Sequence, residues 1–383
     1  MKVLILGIDG YIGWPLAWHL NARGYEVYGI DDKSRRAMVH FEKSISATDI
    51  LSFKKRQEIL WANNMEASLI GVEDIMVDDL RTLNPDAIVH LAEMPSAPFS
   101  MADRTNCDHT IKDNVVGTAH LLWRIKEACP NAHLVKLGTM GEYGTPNLPI
   151  QEGEFLLTHA EEGKWKEKEV RQDRLLFPRR PGSFYHVSKV CDTYLIEFAC
   201  RNWGLRSTDI MQGVLYGTRT EETMDKELVT RFDFDETFGT VINRFCVQQV
   251  LGLPLTPYGK GNQKRGFLQL RDSLQCIRLI IENPPDKGQY RTVNQFERVF
   301  SINQLAEIVK DVGGGGTIEN IPNPRNEAED HYYKPIRQFL PSVGYKPSKT
   351  MEEEISLMLK DLREVKGRIE PYKEVIIPKT LWS

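Results

Sequence analysis

The sequence contains few cysteines, little excess charge of either sign and no long apolar run. Its six cysteines form no CxxC pair, and none lies at metal-ligand spacing from a histidine, so we expect no bound metal. The formal net charge of −4 offers no basic field for phosphates, so we expect no nucleic-acid partner. The first apolar run, residues 2–7, is too short to span a bilayer and lacks the flanks of a secretion signal. These features predict a cytoplasmic protein that is not bound to a membrane.

The composition is that of a globular protein, with 41% hydrophobic and 27% charged residues. Short apolar runs alternate with amphipathic segments through the first half of the chain. This alternation predicts an α/β fold in which a Rossmann doubly wound parallel sheet carries helices on both faces. The expected strands are residues 2–6, 26–30, 87–90, 133–137 and 207–214, and the expected helices are residues 12–21, 50–61, 110–129 and 184–201.

After Gly217 the alternation breaks up, which predicts a Rossmann domain over residues 1–217 and a smaller mixed subdomain over residues 218–383. The subdomain should interleave partly with the first domain and cover the carboxyl edge of its sheet, where ligands of such folds bind. A charged insertion at about 150–180 is either a solvated loop or a lid over the site. The elements expected in the second half are helices at 237–251, 271–281, 302–312 and 351–366 and a strand at 290–294.

A glycine fingerprint follows the first expected strand and opens the first expected helix. Gly7 permits the tight turn, Gly10 lets the backbone approach a pyrophosphate, and Gly13 allows the helix to pack closely on the strand. The free N–H groups of Tyr11 and Ile12 would then face the phosphates, helped by the helix dipole. In this position the motif predicts a dinucleotide site.

Asp31, at the end of the second expected strand, indicates which dinucleotide binds. Its carboxylate would accept hydrogen bonds from both adenosine ribose hydroxyls and repel a 2′-phosphate, so we predict NAD as the cofactor. Arg35 and Arg36 leave other interpretations open, because they could clasp that phosphate, stack on adenine or bridge the pyrophosphate. The other residues expected to contact the cofactor are Asp32, Arg36, Asp74, Ile75, Leu91 and Asn114.

Tyr185 and Lys189 are four residues apart on one face of an expected helix. An ammonium and a nicotinamide charge would both lower the tyrosine pKa, so that Tyr185 can take the proton of a sugar hydroxyl. Thr139, at the end of the expected strand 133–137, could share the same substrate oxygen. Asn114 could brace this strand from its helix, or could be an ordinary helix-surface residue.

Together these residues resemble the extended short-chain dehydrogenase/reductases that act on nucleotide sugars. Within them the chain is similar to the UDP-sulfoquinovose synthase family, and Thr139-Met140-Gly141-Glu142 is the specific signal. Related 4,6-dehydratases carry an Asp-Glu pair after the threonine. The rival interpretations are a nucleotide-sugar 4-epimerase or 4,6-dehydratase and, more distantly, a non-catalytic NAD-binding regulator. The similar runs are residues 137–144, residues 183–189, residues 238–240 with 243–247, and Asn323-Pro324-Arg325 with Glu327-Ala328-Glu329 and His331-Tyr332-Tyr333.

The resemblance implies an enzyme that makes UDP-sulfoquinovose from UDP-glucose and sulfite. NAD oxidises carbon 4, water leaves across carbons 5 and 6, sulfite adds at carbon 6, and carbon 4 is reduced again. There is no net redox change, and the formal class is that of carbon–sulfur hydrolases. The family also implies a homodimer formed through a four-helix bundle. The charged segment 164–180 could dock a sulfite-donor protein, guide the anion, or do neither.

Residue roles follow from the same resemblance. Tyr185 would serve carbon 4 with Thr139 and Lys189, and Met140 would form a soft apolar wall near the sulfite. His186 is the candidate to protonate the leaving hydroxyl or to steady sulfite, because its pKa can lie near neutrality. Glu142 is the candidate to abstract the proton on carbon 5, with a structural role equally open.

The diphosphate is expected to bind Arg265 and Arg325, whose forked guanidinium groups suit phosphate. Gln212 and Gln263 could contact ribose or uracil, or could serve packing. The chain departs from the family at Met94-Pro95, where Gln-Arg is usual, and at Met211, where Asn is common. We therefore expect substrate contacts to differ there while the reaction type is kept.

Overall fold

The structure is a computed structural model, and it describes residues 1–162, 168–328 and 330–382. Strands and helices alternate through the first half, as predicted. The strands are β1 Lys2–Leu6, β2 Glu26–Asp31, β3 Glu66–Leu69, β4 Ala87–His90, β5 His133–Thr139, β6 Glu154–Glu162, β7 Lys168–Leu176, β8 Arg206–Gln212, β9 Val214–Tyr216, β10 Lys264–Gln269, β11 Tyr290–Gln295 and β12 Arg298–Ser301.

The helices begin and end close to the amphipathic segments of the sequence. Among the described residues, no helix is both long and apolar enough to cross a membrane. The helices are α1 Gly13–Asn21, α2 Ser34–Phe41, α3 Phe53–Ala62, α4 Val77–Leu83, α5 Ala97–Ala102, α6 Arg104–Ile111, α7 Gly117–Ala128, α8 Phe184–Trp203, α9 Val241–Leu251, α10 Leu270–Glu282, α11 Ile302–Gly313, α12 Phe339–Ser342, α13 Met351–Glu364 and α14 Lys366–Ile369.

The main sheet has the order β11-β8-β5-β4-β1-β2-β3, and its strand pairs are parallel. β4 is buried at all four positions, as expected for a central strand covered on both faces. The order reverses direction at β1, and this switch point opens a crevice at the carboxyl ends of the strands. The predicted Rossmann doubly wound sheet is confirmed.

A second sheet has the order β12-β10-β9 and is mixed, because β10 pairs antiparallel with β12 and parallel with β9. Helices α9, α11 and α13 pack together in the second apolar core, which also contains Phe267 of β10. This is the smaller mixed C-terminal part that the sequence predicted. The boundary at Gly217 stays a prediction, since β11 and α10 come after it yet join the main sheet and its core.

One predicted strand is shorter than expected, and one predicted helix is interrupted. The strand predicted at 207–214 ends at Gln212, because Gly213 turns the chain towards β9. A Cβ at Gly213 would lie 2.6 Å from the carbonyl oxygen of Gly266, so only glycine fits between the two sheets. The helix predicted at 110–129 is interrupted by a π-helical turn at Lys112–Val116, which separates α6 from α7.

The charged insertion forms an antiparallel hairpin of β6 and β7. Its base packs through Phe155 on Phe177, which in turn contacts Tyr143 with ring centroids 5.5 Å apart. Residues 163–167, which include part of the segment considered for docking a sulfite donor, lie outside the described residues. The sequence did not reveal the hairpin, because charged residues interrupt its strands and leave little regular apolar alternation.

Candidate active site

A cavity of about 1410 Å³ opens at the carboxyl ends of the main-sheet strands. Its walls come from the loops after β1, β2, β4, β5 and β8, and from the C-terminal part of the chain. The glycine fingerprint and several carboxylates line one end, and arginines line the other. Such a cavity can hold a dinucleotide and a second, anionic ligand side by side.

The glycine end of the cavity has the shape that a bound pyrophosphate requires. Gly7 has a φ of +88°, and a Cβ at Gly13 would lie 2.1 Å from the carbonyl oxygen of Gly7. The first turn of α1 carries no acidic side chain, so its N–H groups present an unopposed positive dipole. Tyr11 and Ile12 line the cavity between these glycines, as predicted. The residues present therefore fit NAD.

Carboxylates surround the place where the adenosine ribose would lie. Asp31 accepts hydrogen bonds from the N–H groups of Asp9 at 2.9 Å and Lys33 at 2.7 Å, which fix its carboxylate. Burial and the nearby Asp9 raise the pKa of Asp31 to about 6. Asp32, Glu73 and Asp113 also line this end of the cavity. A 2′-phosphate would meet several negative charges here, which favours NAD over NADP.

Three of the expected cofactor contacts are corrected by the structure. Arg36 does not line the cavity, because it pairs with Asp9 at 2.8 Å and donates to the carbonyl oxygen of Leu51. Asp74 and Ile75 do not line it either, and the preceding residues Val72 and Glu73 do. The short helical turn at Val72–Asp74 points Ile75 into the core beneath the sheet, which sequence spacing alone could not reveal. Leu91 and Asp32 line the cavity as expected.

Arg35 lines the cavity, and its guanidinium is held by two contacts within the protein. Its guanidinium lies 3.7 Å from the ring centroid of Phe238, and its Nη2 donates to Asp233 at 2.8 Å. In this structure its guanidinium is paired within the protein, and the alternative in which Arg35 clasps a 2′-phosphate stays a prediction. The Arg35 side chain thus connects helix α2, at the adenosine end of the cavity, to Asp233 and Phe238 in the second half of the chain.

Asn114 is fully buried and does not line the cavity. It accepts a hydrogen bond from the N–H of Met94 at 2.7 Å and donates to the hydroxyl of Ser188 at 2.8 Å. It therefore ties the loop after β4 to α8 instead of touching the cofactor. Its placement in the π-helical turn explains how a residue of this helix reaches both partners.

Tyr185, Lys189 and Thr139 meet in the middle of the cavity. The ammonium of Lys189 lies 5.9 Å from the ring centroid of Tyr185 and donates to the carbonyl oxygen of Leu137 at 2.8 Å. Ser183 caps the start of α8, and the N–H of Tyr185 donates to Ser100 at 3.0 Å, so the helix presents both side chains rigidly. The structure thus brings together the predicted proton-transferring group.

The pKa of Tyr185 is raised in the structure, whereas the sequence predicts that Lys189 lowers it. Burial raises the pKa of Tyr185 and outweighs the opposing effect of Lys189. Glu93, which sequence reasoning missed, forms a buried ion pair with Lys189 and also raises the pKa of Tyr185. Although burial acts in the opposite direction, Lys189, His90 and Lys136 lower the pKa of Glu93 to about 2. The signal in the sequence was a carboxylate three residues after the end of the buried strand β4.

Glu93→Gln should shift the acidic limb of the pH–rate profile to lower pH, by on the order of one unit. The substitution removes a negative charge that raises the pKa of Tyr185 and leaves the charge of Lys189 uncompensated. The deprotonated tyrosine then forms at lower pH. Turnover measured from pH 5 to 10 would test this, with Glu73→Gln as a control, since Glu73 lines the remote adenosine end. If the acidic limb of the pH–rate profile stayed unchanged in Glu93→Gln, Glu93 would not control the pKa of Tyr185.

Glu142 is fully buried and does not line the cavity, so its role as the base at carbon 5 is corrected. Its carboxylate accepts from the N–H of Thr139 at 3.2 Å and from the hydroxyl of Thr193 at 3.1 Å, and it pairs with Arg179 at 3.3 Å. It closes a capping box that fixes the turn after β5. The position of Glu142 therefore supports a structural role for this residue.

Met140 and His186 line the cavity beside Thr139, and Gly141 makes room for the imidazole. A Cβ at Gly141 would lie 2.2 Å from Nε2 of His186, so any larger residue here would displace the ring. Burial, Arg325 and Arg265 lower the pKa of His186 to about 3, so the ring is neutral at neutral pH. The expectation that the pKa of His186 lies near neutrality is wrong. A neutral ring does not favour protonation of the leaving hydroxyl, and of the two roles expected for His186 the one that remains is to steady sulfite.

The far end of the cavity is basic. Arg265 and Arg325 both line it, as predicted, and Arg265 pairs with Glu327. Gln212 and Gln263 line it too, and their side-chain oxygens have no hydrogen-bond partner among the described residues. Buried amide oxygens of this kind suit a ligand with hydroxyl or N–H donors. Sequence reasoning missed Arg244, Tyr258 and Trp382 here, and it also missed Arg231, which lines the cavity beside Asp233.

The residues that depart from the family and the charged insertion differ in their position relative to the cavity. Met94 and Pro95 line the cavity, and the expectation that substrate contacts differ there stays a prediction. Met211 lies outside the cavity, fully buried, with its sulfur 3.2 Å from Nη1 of Arg179. No described residue of the β6–β7 hairpin lines the cavity, although Arg180 just after it does. For the insertion as a whole, which includes Arg180, the lid and the solvated loop both stay predictions.

Residues 3–294 match the model of the NAD dependent epimerase/dehydratase family. The chain is 44% identical to the UDP-sulfoquinovose synthase of Sulfolobus acidocaldarius, over 100% of this chain and 98% of the relative. It is 41% identical to the chloroplastic UDP-sulfoquinovose synthase of Spinacia oleracea, over 100% of this chain and 79% of the relative. A UDP-glucuronic acid 4-epimerase from Bacillus cereus has a similar fold, with a TM-score of 0.72, 17% identity and coverage of 95% of this chain and 100% of that chain.

The fold and the site define an NAD-dependent enzyme, and the chain belongs to the NAD dependent epimerase/dehydratase family. Within that family it belongs with the UDP-sulfoquinovose synthases, since the identity extends over its full length.

Proposed function

We propose that the protein converts UDP-glucose and sulfite into UDP-sulfoquinovose, with release of water. The observation that carries this proposal is the turn Thr139-Met140-Gly141 facing His186 beside the Tyr185–Lys189 pair. In this turn the side chain of Glu142 points into the protein, so the turn presents no carboxylate to the cavity. An arriving sulfite anion is therefore not repelled there, in contrast to the dehydratase arrangement.

The chemistry that NAD supplies when bound is removal of a hydride from carbon 4 of the sugar and its later return. Tyr185 receives the proton of the 4-hydroxyl and returns it, while the Thr139 hydroxyl binds the same oxygen. Lys189 favours the deprotonated tyrosine by its charge. Met140 bounds the reacting carbon with an apolar surface, and neutral His186 steadies the sugar or sulfite by a hydrogen bond. Arg265 and Arg325 bind the diphosphate.

Incubation of the purified protein with UDP-glucose and sulfite, followed by mass spectrometry of the nucleotide sugars, tests the proposal. The expected product is heavier by the exchange of a hydroxyl for a sulfonate, and it forms only when sulfite is present. Conversion to UDP-galactose would indicate a 4-epimerase, and a 4-keto-6-deoxy sugar would indicate a 4,6-dehydratase. Binding of NAD without any turnover would favour the non-catalytic regulator.

The same proposal places the enzyme in the cytoplasm and in the formal class of carbon–sulfur hydrolases. All six cysteines are free thiols, which agrees with a reducing compartment.

We further propose a homodimer formed by α7 and α8 of each subunit. These helices present exposed apolar side chains on one side of the main sheet, and such a patch favours association. Phe198→Arg should therefore convert a dimer into a monomer in sedimentation at micromolar concentration. Trp61→Arg, an exposed tryptophan on α3, is the control that should stay dimeric. A monomeric unmodified protein would refute the dimer. The exposed side chains on these helices are Trp123, Val187, Tyr194 and Phe198, and Val116 lies just before α7.

A further inference from the structure

The last described segment of the chain, residues 375–382, forms part of the cavity wall; we refer to it as the strap. It begins beside Glu236, whose N–H donates to the carbonyl oxygen of Val375 at 2.8 Å. The carboxylate of Glu236 accepts from the N–H groups of Lys379 and, at 3.2 Å, Thr380. The strap is therefore fixed on the segment that carries Phe238, on one side of the cavity.

At its other end the strap is fixed on the opposite wall. The N–H of Trp382 donates to the carbonyl oxygen of Pro324 at 2.9 Å. The guanidinium of the next residue, Arg325, lies 4.9 Å from the ring centroid of Trp382. Pro378, Thr380 and Trp382 all line the cavity. The strap thus joins two walls of the site and brings one aromatic ring against an arginine of the basic end.

Several cations meet at this end. Arg244, Arg265 and Arg325 all line the cavity, and burial together with Arg265 and Arg244 lowers the pKa of Arg325. Glu327 balances Arg265 by an ion pair. Guanidinium groups this close repel one another, so a mobile side chain would turn away from the others. The ring of Trp382 counteracts this turning away, because a guanidinium is attracted to an aromatic face. An arginine already held in place also loses little rotamer freedom when a ligand binds.

We infer that Trp382 is a positioning residue that holds Arg325 ready for the diphosphate of the nucleotide-sugar substrate. This inference rests on the proposed function in assuming such a substrate. Trp382 acts through Arg325, so its contribution appears with ligands that carry the diphosphate and not with the nucleoside alone. Because the contact exists before the substrate binds, its loss weakens binding more than it slows turnover.

Calorimetric titration of the NAD-loaded protein with UDP and with uridine tests this inference. In Trp382→Ala the Kd of UDP should rise about tenfold, and the Kd of uridine should change less than about twofold. Trp382→Phe keeps a ring under Arg325 and should restore most of the UDP affinity. In an Arg325→Ala background, Trp382→Ala should have no further effect on UDP, because the two residues act as one unit.

Steady-state kinetics gives the second readout. The KM for UDP-glucose should rise in Trp382→Ala by a factor similar to the UDP affinity, while kcat stays within about twofold. Equal losses for UDP and uridine, or additive effects of the two substitutions, would overturn the inference. The titrations need no turnover, so they decide it even if the protein forms no sulfonated product. An absence of sulfonation with intact UDP binding would count against the proposed function alone.

Discussion

Tyr185→Phe should lower turnover about 10³-fold, the loss typical of removing a positioned acid–base group. The hydroxyl is the group that exchanges a proton with carbon 4 in the proposed reaction, and the phenyl ring that replaces it keeps the same shape. NAD affinity should stay within about twofold, because the cofactor is held mainly by the glycine loop and Asp31. Single-turnover rates and NAD titration would measure the two effects separately.

Tyr25→Phe is the matched control for this substitution. Tyr25 lies just before β2, and its hydroxyl donates to Glu282 on the protein surface, far from the cavity. Its replacement should leave turnover unchanged. If Tyr185→Phe kept more than about one tenth of the activity, another group would have to transfer the proton, and the assignment of Tyr185 would be wrong.

Gly13→Ala should abolish NAD binding at micromolar concentration and lower the free energy of unfolding by about 1–3 kcal/mol. The added Cβ would lie 2.1 Å from the carbonyl oxygen of Gly7 and 2.9 Å from Cα of Ile8. Both neighbours are backbone atoms of the loop that receives the pyrophosphate, so α1 has to move away from it. Calorimetric NAD titration and urea unfolding would measure the two losses.

Gly367→Ala makes the same chemical change where there is room for it. A Cβ at Gly367 meets no atom within 4 Å, and the residue lies in α14. Alanine is favoured over glycine in a helix, so stability should stay equal or rise by up to about 1 kcal/mol. NAD binding by Gly13→Ala with unchanged affinity would show that the tight packing at Gly13 does not determine the cofactor site.

The parts of the site that the sequence predicted are those set by local chain geometry. Gly7, Gly10 and Gly13 reveal a turn, and the spacing of Tyr185 and Lys189 places both on one helical face. Likewise, the main sheet could be predicted because its central strands are continuous apolar runs. Each of these signals lies within a short stretch of the chain.

The errors concern residues whose roles depend on distant partners. Glu93, in the loop after β4, balances Lys189 of α8, and no spacing in the sequence shows this pairing. Glu142 belongs to a promising motif, yet its side chain points towards Thr193 and Arg179 because the turn after β5 is capped. His186 looked titratable near neutrality, and only its burial beside Arg265 and Arg325 lowers its pKa.

The position of β11 at the end of the main sheet has a consequence for how the chain is made. β11 pairs with β8, and α10, which precedes it, packs in the core of the same sheet. A ribosome must therefore release residue 295 before the sheet can be completed, although most of the catalytic groups emerge much earlier. During that interval β8 leaves the ribosome with one unpaired edge, a form that nascent-chain chaperones bind and that tends to aggregate. Expression yield should thus depend on translation speed and chaperone supply more than the stability of the finished protein would suggest.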